Sequence, residues 1–285
     1  MSINNFLIAV IAVIVSPLLG GLLTGIDRKI TARMQNRQGP PILQPFYDFF
    51  KLIGKQDIAV NQTQMVYVLG HLLFAIGALV MLVLQQDLLM IMFILAFSGI
   101  SLIMGASSIR SPYSKIGAQR EIMSMMAYEP VLLLMVVGVY KATGSFMISG
   151  IFEHEKPLLY SLPLVFLSFL FILTIKLRKS PFDFATSHHG HQELIKGLTI
   201  EFSGTQLALI ELTDWIDLVL FMGLISLFFA QPIWVGILIA LVCYFIEILI
   251  DNISARMTWQ WMVKTTWVAG IGVALVNIVW MYLIP

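Results

Sequence analysis

The sequence predicts an all-α integral membrane protein, and three observations carry that prediction. Apolar side chains make up 59% of the 285 residues and charged ones 12%, about half the charged share usual in soluble domains. Apolar runs of bilayer-spanning length recur along the chain, with mean hydropathy +0.90 overall. Lysine and arginine fall almost entirely in alternate loops between those runs. So few charges cannot cover a soluble domain of this size. High hydrophobicity and a net charge of +1 exclude disorder and a nucleic-acid partner.

A hydrocarbon core about 30 Å thick takes roughly 20 helical residues at 1.5 Å rise each. Eight runs meet that length: 4–26, 66–86, 88–109, 121–141, 158–177, 206–230, 232–251 and 263–283. They are read as one polytopic domain over 1–285. Leu88 to Ile109 holds no charge. Gln85-Gln86-Asp87 is a tight hairpin that makes the second and third spans antiparallel neighbours. At Gln231-Pro232 proline ends one span and opens the next. The first run lacks a basic leader and a small-residue cleavage site, so it is expected to be retained as a span.

Orientation follows from the basic residues. Fifteen of the 17 Lys and Arg lie in the loops 26–65, 110–120 and 176–205 and at the last junction, where Arg256 and Lys264 sit; only Lys141 and Lys156 lie on the opposite side. Positive loops stay in the cytoplasm. The basic loops are therefore expected there, with both termini outside.

The first cytoplasmic loop contains its own helix. After Gly39-Pro40-Pro41, Ile42 to Lys55 places polar residues at Gln44, Asp48, Lys51 and Lys55, with apolar and aromatic residues between. That spacing predicts an amphipathic helix too short to span, lying in the interface or tucked against the bundle. It serves either as a surface anchor or as a wall of a docking site.

Acidic residues in apolar runs cost roughly 2.5 to 3.5 kcal/mol each to insert. This chain keeps Glu121 and Glu129 in the fourth span and Glu201 just before the sixth. Glu211, Asp214 and Asp217 follow within the sixth, and Glu247 and Asp251 share a face of the seventh. No equal set of intramembrane bases is expected to neutralise them. Carboxyl groups of this kind, arranged in series, make a proton relay. The bland alternative is helix–helix hydrogen bonding.

His188, His189 and His191 crowd one loop, but Gly190 leaves them without fixed geometry, and no metal site is predicted there. They are better suited to binding a partner. The single cysteine, Cys243, cannot form an intrachain disulfide or hold an iron–sulfur cluster.

Several motifs carry a resemblance. Ala32-Arg33-Met34-Gln35-Asn36-Arg37-Gln38-Gly39-Pro40, continued by Leu43-Gln44-Pro45 and Lys51-Leu52, resembles the first-loop motif of the H-type membrane subunit of respiratory complex I. Ala127-Tyr128-Glu129 resembles that family's fourth-helix glutamate motif. Ser180-Pro181-Phe182-Asp183 and Glu201-Phe202-Ser203-Gly204 resemble its third cytoplasmic loop. The stretch from Ala185 to Leu194, the segment Leu209-Ile210-Glu211-Leu212-Thr213-Asp214-Trp215 and Gly117-Ala118-Gln119-Arg120-Glu121 depart from the quinone-using branch. They resemble the homologous subunit of group 4 energy-converting nickel–iron hydrogenases of the Ech and Mbh type.

The resemblance implies a membrane anchor and ion-coupling subunit in a prokaryotic inner membrane. It would dock the large nickel–iron and small iron–sulfur subunits and meet ferredoxin only indirectly. An antiporter-like membrane subunit would be its neighbour, and the chain itself would bind no cofactor. Proton reduction on the docked arm would drive translocation of H⁺ or Na⁺. The resemblance places Glu129, Glu193, Glu201 and Asp214 on the lateral proton path, with Glu121 and Glu211 as hydrogenase-type variants. Asp217 and Glu247 join that path from the residue pattern. Arg33, Arg37, Asp183 and the histidines 188, 189 and 191 fall in the docking region. The nearest rival is the quinone-site subunit of a complex I-type oxidoreductase. A stand-alone ion transporter is a rival of another class.

Overall fold

The computed structural model describes residues 3–56, 61, 63–154, 156–182 and 196–283. Among them are twelve α-helices and no strands. The helices are α1 (Ile3–Met34), α2 (Gln44–Ile53), α3 (Thr63–Val83), α4 (Leu88–Ser107), α5 (Pro112–Thr143), α6 (Ile148–Glu153), α7 (Leu158–Ser161), α8 (Pro163–Lys176), α9 (Gly204–Leu227), α10 (Ile233–Ile253), α11 (Trp259–Thr265) and α12 (Gly272–Leu283). A π-helical turn, Thr266–Ile271, joins α11 to α12. The protein is an all-α membrane protein, as its composition requires.

Six helical stretches are long and apolar enough to cross a membrane: α1, α3, α4, α5, α10 and the continuous Trp259–Leu283. Two expected spans differ. The fifth is broken at Leu162, leaving α7 and a 14-residue α8. The sixth, α9, has 24 residues but carries Glu211, Asp214 and Asp217. By length and composition, then, six of the eight expected spans qualify among the described residues.

Helix ends also lie beyond the expected boundaries. The α1 and α5 helices have 32 residues each, about 48 Å at 1.5 Å per residue, well over the hydrocarbon thickness. Arg28, Lys29 and Arg33 thus ride on a helical extension of the first span, and Lys115, Arg120 and Glu121 on the leading turns of the fourth. Gly25 does not stop α1, which runs through it to Met34. The chain turns only at Asn36, in the left-handed region at φ 53°. There the Arg37 N–H donates to the Ala32 carbonyl at 2.9 Å and the Asn36 N–H to that of Arg33 at 3.1 Å. This paired closure satisfies carbonyls that a helix end leaves open. Gln85, at φ 56°, closes α3 in the same way.

The chain forms two compact units. The first comprises Met1–Val80, Ile94–Ile122 and Asp183–Val219. In it α1 presents small residues to its neighbours. A Cβ at Gly20 would collide with the Trp215 carbonyl of α9, and one at Gly25 with the Ile42 carbonyl just before α2. Between α3 and α4, Ser98 and His71 interlock. The Ser98 hydroxyl donates to the His71 carbonyl at 2.9 Å and lies 2.7 Å from Nδ1. The Ser101 hydroxyl donates to the Tyr67 carbonyl at 2.8 Å. Such hydroxyl bonds hold helices together where lipid offers no hydrophobic contrast.

The second unit comprises Met81–Phe93, Met123–Phe182 and Leu220–Pro285. Asp87 caps α4, its Oδ1 accepting from the Leu89 and Met90 N–H groups at 2.8 and 3.2 Å. The interruption before α8 is satisfied from far along the chain. Asn277 of α12 accepts from the Leu164 and Val165 N–H groups at 2.8 and 3.2 Å and donates to the Ser161 carbonyl at 3.0 Å. On α8, Phe166 and Phe169 pack against Phe228, with ring centroids 4.9 and 6.1 Å away.

Asn277→Ala leaves those N–H groups without an acceptor and is expected to cost about 1–3 kcal/mol. A lower thermal midpoint in detergent checks this; an unchanged midpoint contradicts it.

Candidate functional site

The acidic residues singled out in the sequence fall into separate groups, each within one unit. In the first unit the amphipathic helix is the organising element. Residues 44–53 are helical, within the expected 42–55. Pro45 occupies the first turn, where its missing N–H costs nothing. The polar stripe faces α1: Arg28 Nη1 donates to Asp48 Oδ2 at 3.0 Å, and Gln44 Nε2 to Asp48 Oδ1 at 2.8 Å. The aromatic side reaches α9, where Trp215 lies 5.3 Å from Phe46 and 5.6 Å from Phe49 between ring centroids. The helix is therefore tucked against the bundle, with exposed Tyr47 and Phe50 left on its outer side.

Glu211, one turn before Trp215, is half-buried and interacts electrostatically with Asp214, Arg28, Asp48 and Lys196. Asp214 lies on the surface of this chain, whereas Asp217 is buried. The three acids at spacing three thus spread around α9 rather than sharing one environment. Glu201 is half-buried in the turn before α9, and Glu121 is half-buried on α5. Arg33 and Arg37 lie at the open end of α1, Arg37 exposed and its Nε donating to Gln35 Oε1 at 2.9 Å. Asp183, His188, His189, His191 and Glu193 lie outside the described residues.

In the second unit two acids meet cations. Lys176 and Lys179, which the sequence places in a cytoplasmic loop, lie within electrostatic range of half-buried Glu129 and buried Glu247, still fewer bases than acids. Lys176 ends α8 and interacts electrostatically with Glu129 of α5. Its ammonium lies 5.7 Å from the Tyr128 ring and 5.6 Å from that of Phe221. Pro130 follows Glu129 inside α5 and leaves the Met126 carbonyl without its usual helical donor. Trp267 Nε1 donates to that carbonyl at 3.3 Å. One carboxyl oxygen of Glu129, Oε1, is buried with no hydrogen-bond partner.

Lys179 is more deeply placed. It is only 7% exposed, and Glu247 of α10 is 2% exposed. The two interact electrostatically, and the ammonium sits 5.2 Å from the Tyr244 ring, one turn before Glu247. Asp251, the next acid along α10, accepts from the Ser180 N–H at 2.8 Å. Cys243 is free and buried on the same helix.

A signal for this arrangement exists in the sequence. Lys176 and Lys179 are three residues apart at the end of an apolar run, a spacing that places them near one another past a helix terminus. Among the described residues, no group of three or more His, Cys, Asp or Glu is arranged to hold a metal ion. The geometry can neutralise and position carboxyl groups inside a membrane helix bundle.

Two changes separate the roles of the α2 contacts. Asp48→Asn removes a half-exposed ion pair and is expected to cost less than about 1 kcal/mol. Trp215→Ala removes the aromatic contact under α2 and is expected to cost about 3–5 kcal/mol. Amide hydrogen exchange over 44–53 should accelerate strongly for the second change only; equal acceleration in both variants contradicts this.

Comparison with known proteins places the chain among membrane subunits. The profile of a family described as NADH dehydrogenase matches residues 6–282. Formate hydrogenlyase subunit 4 of Escherichia coli (strain K12) is 30% identical over 288 positions, covering 90% of this chain and 92% of that protein. The H-type subunit of the NADH-quinone oxidoreductase of Thermomicrobium roseum is 27% identical over 316 positions, covering 93% of this chain and 92% of its own. A chain in the structure of the membrane-bound sulfane sulfur reductase, an archaeal respiratory membrane complex, superposes with TM-score 0.86. It is 25% identical, over 98% of this chain and 100% of that one.

Proposed function

Because this chain belongs to the NADH dehydrogenase family of membrane subunits, we propose that it is the membrane anchor and ion-coupling subunit of an energy-converting hydrogenase. The likeness to formate hydrogenlyase subunit 4 over nearly the whole of both chains carries the reading. Within the complex this chain supplies carboxyl sites and a docking end. The nickel–iron and iron–sulfur centres belong to partner subunits, with ferredoxin as their electron donor and an antiporter-like subunit alongside in the bilayer. The long basic loops face the cytoplasm and both termini face outward.

The ion path comprises Glu129, Glu193, Glu201, Asp214, Glu121, Glu211, Asp217 and Glu247. Two features support it. Glu129 and Glu247 are held in apolar helices beside cations, the arrangement a carboxyl needs to exchange a proton without remaining an isolated buried charge. The α2 helix, with Arg33 and Arg37 at the end of α1, forms one basic, aromatic-faced end of the first unit, suited to an acidic protein surface. Asp183, His188, His189 and His191 complete the docking region in this reading.

A second reading has a specific observation behind it. The H-type membrane subunit of a quinone oxidoreductase matches over a similar length, and Phe46, Phe49 and Trp215 offer aromatic faces beside α2. In that reading the partners are quinone-linked.

Gentle detergent purification followed by identification of the co-purifying chains decides between the two. A nickel–iron large subunit is expected; a quinone-reducing set with bound quinone overturns the hydrogenase reading. Glu201→Gln should reduce hydrogen-linked ion pumping while the complex still assembles. Pumping at the unaltered rate with full assembly removes Glu201 from the path.

A further inference from the structure

Two lysines at the end of α8 have no place in a path made of acids alone. Lysine is rarely buried as deeply as Lys179 unless it is paired, and the backbone leaves Lys179 little choice of position. Its N–H closes the end of α8 by donating to the Thr174 carbonyl at 2.9 Å, while the Arg178 N–H donates to that of Ile175 at 3.1 Å. Arg178 takes the left-handed turn at φ 53° that this closure requires. The next residue is tied down as well: the Ser180 N–H donates to Asp251, and the Met257 N–H donates to the Pro181 carbonyl at 2.6 Å. The Lys179 side chain therefore leaves a fixed backbone and ends over the Tyr244 ring.

What it meets there is ordered along one helix face. Tyr244, Glu247 and Asp251 are three and four residues apart on α10 and so lie above one another. Tyr244 offers the negative face of its ring to the ammonium. Asp251 is occupied by the Ser180 N–H. Glu247 Oε2 is buried with no hydrogen-bond partner. A cation near Glu247 balances the ionised carboxylate, so the pair is neutral in that state and carries one positive charge once the carboxyl takes up a proton.

We infer that Lys179 and Glu247 act as one ionic unit of the translocation path, with Lys179 the positioning residue that sets the charge state of the buried carboxyl. This rests on the reading that carboxyls of this chain carry the translocated ion. The step is a proton transfer: an O–H bond forms at Glu247 as the ion arrives and breaks as it leaves, and no electrons move. Protonation leaves the Lys179 charge uncompensated inside the bundle, which favours onward release. Lys176 stands in the same relation to Glu129, so one helix end serves acids on two different helices.

The test uses the assembled complex in inverted membrane vesicles, reading ions moved per electron pair delivered. Lys179→Met is expected to lower that ratio roughly tenfold or more, within the range of ordinary coupling energies, while assembly and electron flow persist. Lys179→Arg, which keeps the charge, should restore most of it. The double variant Lys179→Met with Glu247→Gln should be no worse than Glu247→Gln alone. Should Lys179→Met alone fail to assemble, assembly of the neutral double variant supports the ionic unit, because removing one member of a buried pair costs more than removing both. Failure of the double variant where Glu247→Gln assembles overturns it. A normal ratio in Lys179→Met beside an impaired Glu247→Gln overturns this inference alone. Normal ratios in both overturn this inference and remove Glu247 from the path; normal ratios in Glu129→Gln and Glu201→Gln as well overturn the underlying reading.

Discussion

A charge inside a helix bundle in hydrocarbon must have its counterpart close by, and this constraint orders the second unit. Glu129 is half-buried on α5 and Glu247 is buried on α10. Each has a lysine from the end of α8 within electrostatic range, and each lysine in turn rests against aromatic rings. The surrounding backbone serves this end. The closure of α8 at Arg178 aims one lysine inward. The Asn277 side chain lets α8 begin just where the fifth span is interrupted. The Trp267 indole takes up the carbonyl that Pro130 leaves open next to Glu129.

The first unit answers a different demand, the attachment of a partly apolar surface helix. Its solution is steric. Glycines at positions 20 and 25 let the backbones of α9 and of the α2 approach come close to α1, and Trp215 fills the space beneath Phe46 and Phe49. The Arg28–Asp48 pair is half-exposed and sets register more than stability. An interfacial helix held in this way presents Tyr47 and Phe50 outward beside the basic end of α1, the combination that protein–protein contacts favour.

Much of this is legible in the residues. Hydropathy and the one-sided lysine and arginine pattern identify a multi-span membrane protein, and the four-three-four spacing of Gln44, Asp48, Lys51 and Lys55 locates α2 to within two residues at each end. Helix ends are not legible, because the turns at Asn36, Gln85 and Arg178 use left-handed residues other than glycine, and because a helix continues past the membrane wherever nothing stops it. The break at Leu162 is marked only by Pro163 in the first turn of α8, which a hydropathy count passes over, and its cap, Asn277, lies far along the chain. The two lysines at the end of an apolar run are visible in the sequence, but their assignment to Glu129 and Glu247 is not, because charge partners across helices leave no mark in local sequence. The acids themselves are plain, since a carboxyl in an apolar run stands out by cost alone.

Infrared difference spectroscopy of the assembled complex under turnover tests the central claim most directly. If buried carboxyls of this chain take up and release the translocated proton, a protonated-carboxyl band should appear on turnover and disappear in the Glu247→Gln variant, with a second component lost in Glu129→Gln. A turnover spectrum without any carboxyl band, or one that both variants leave intact, contradicts the claim and leaves these acids as structural members of the bundle.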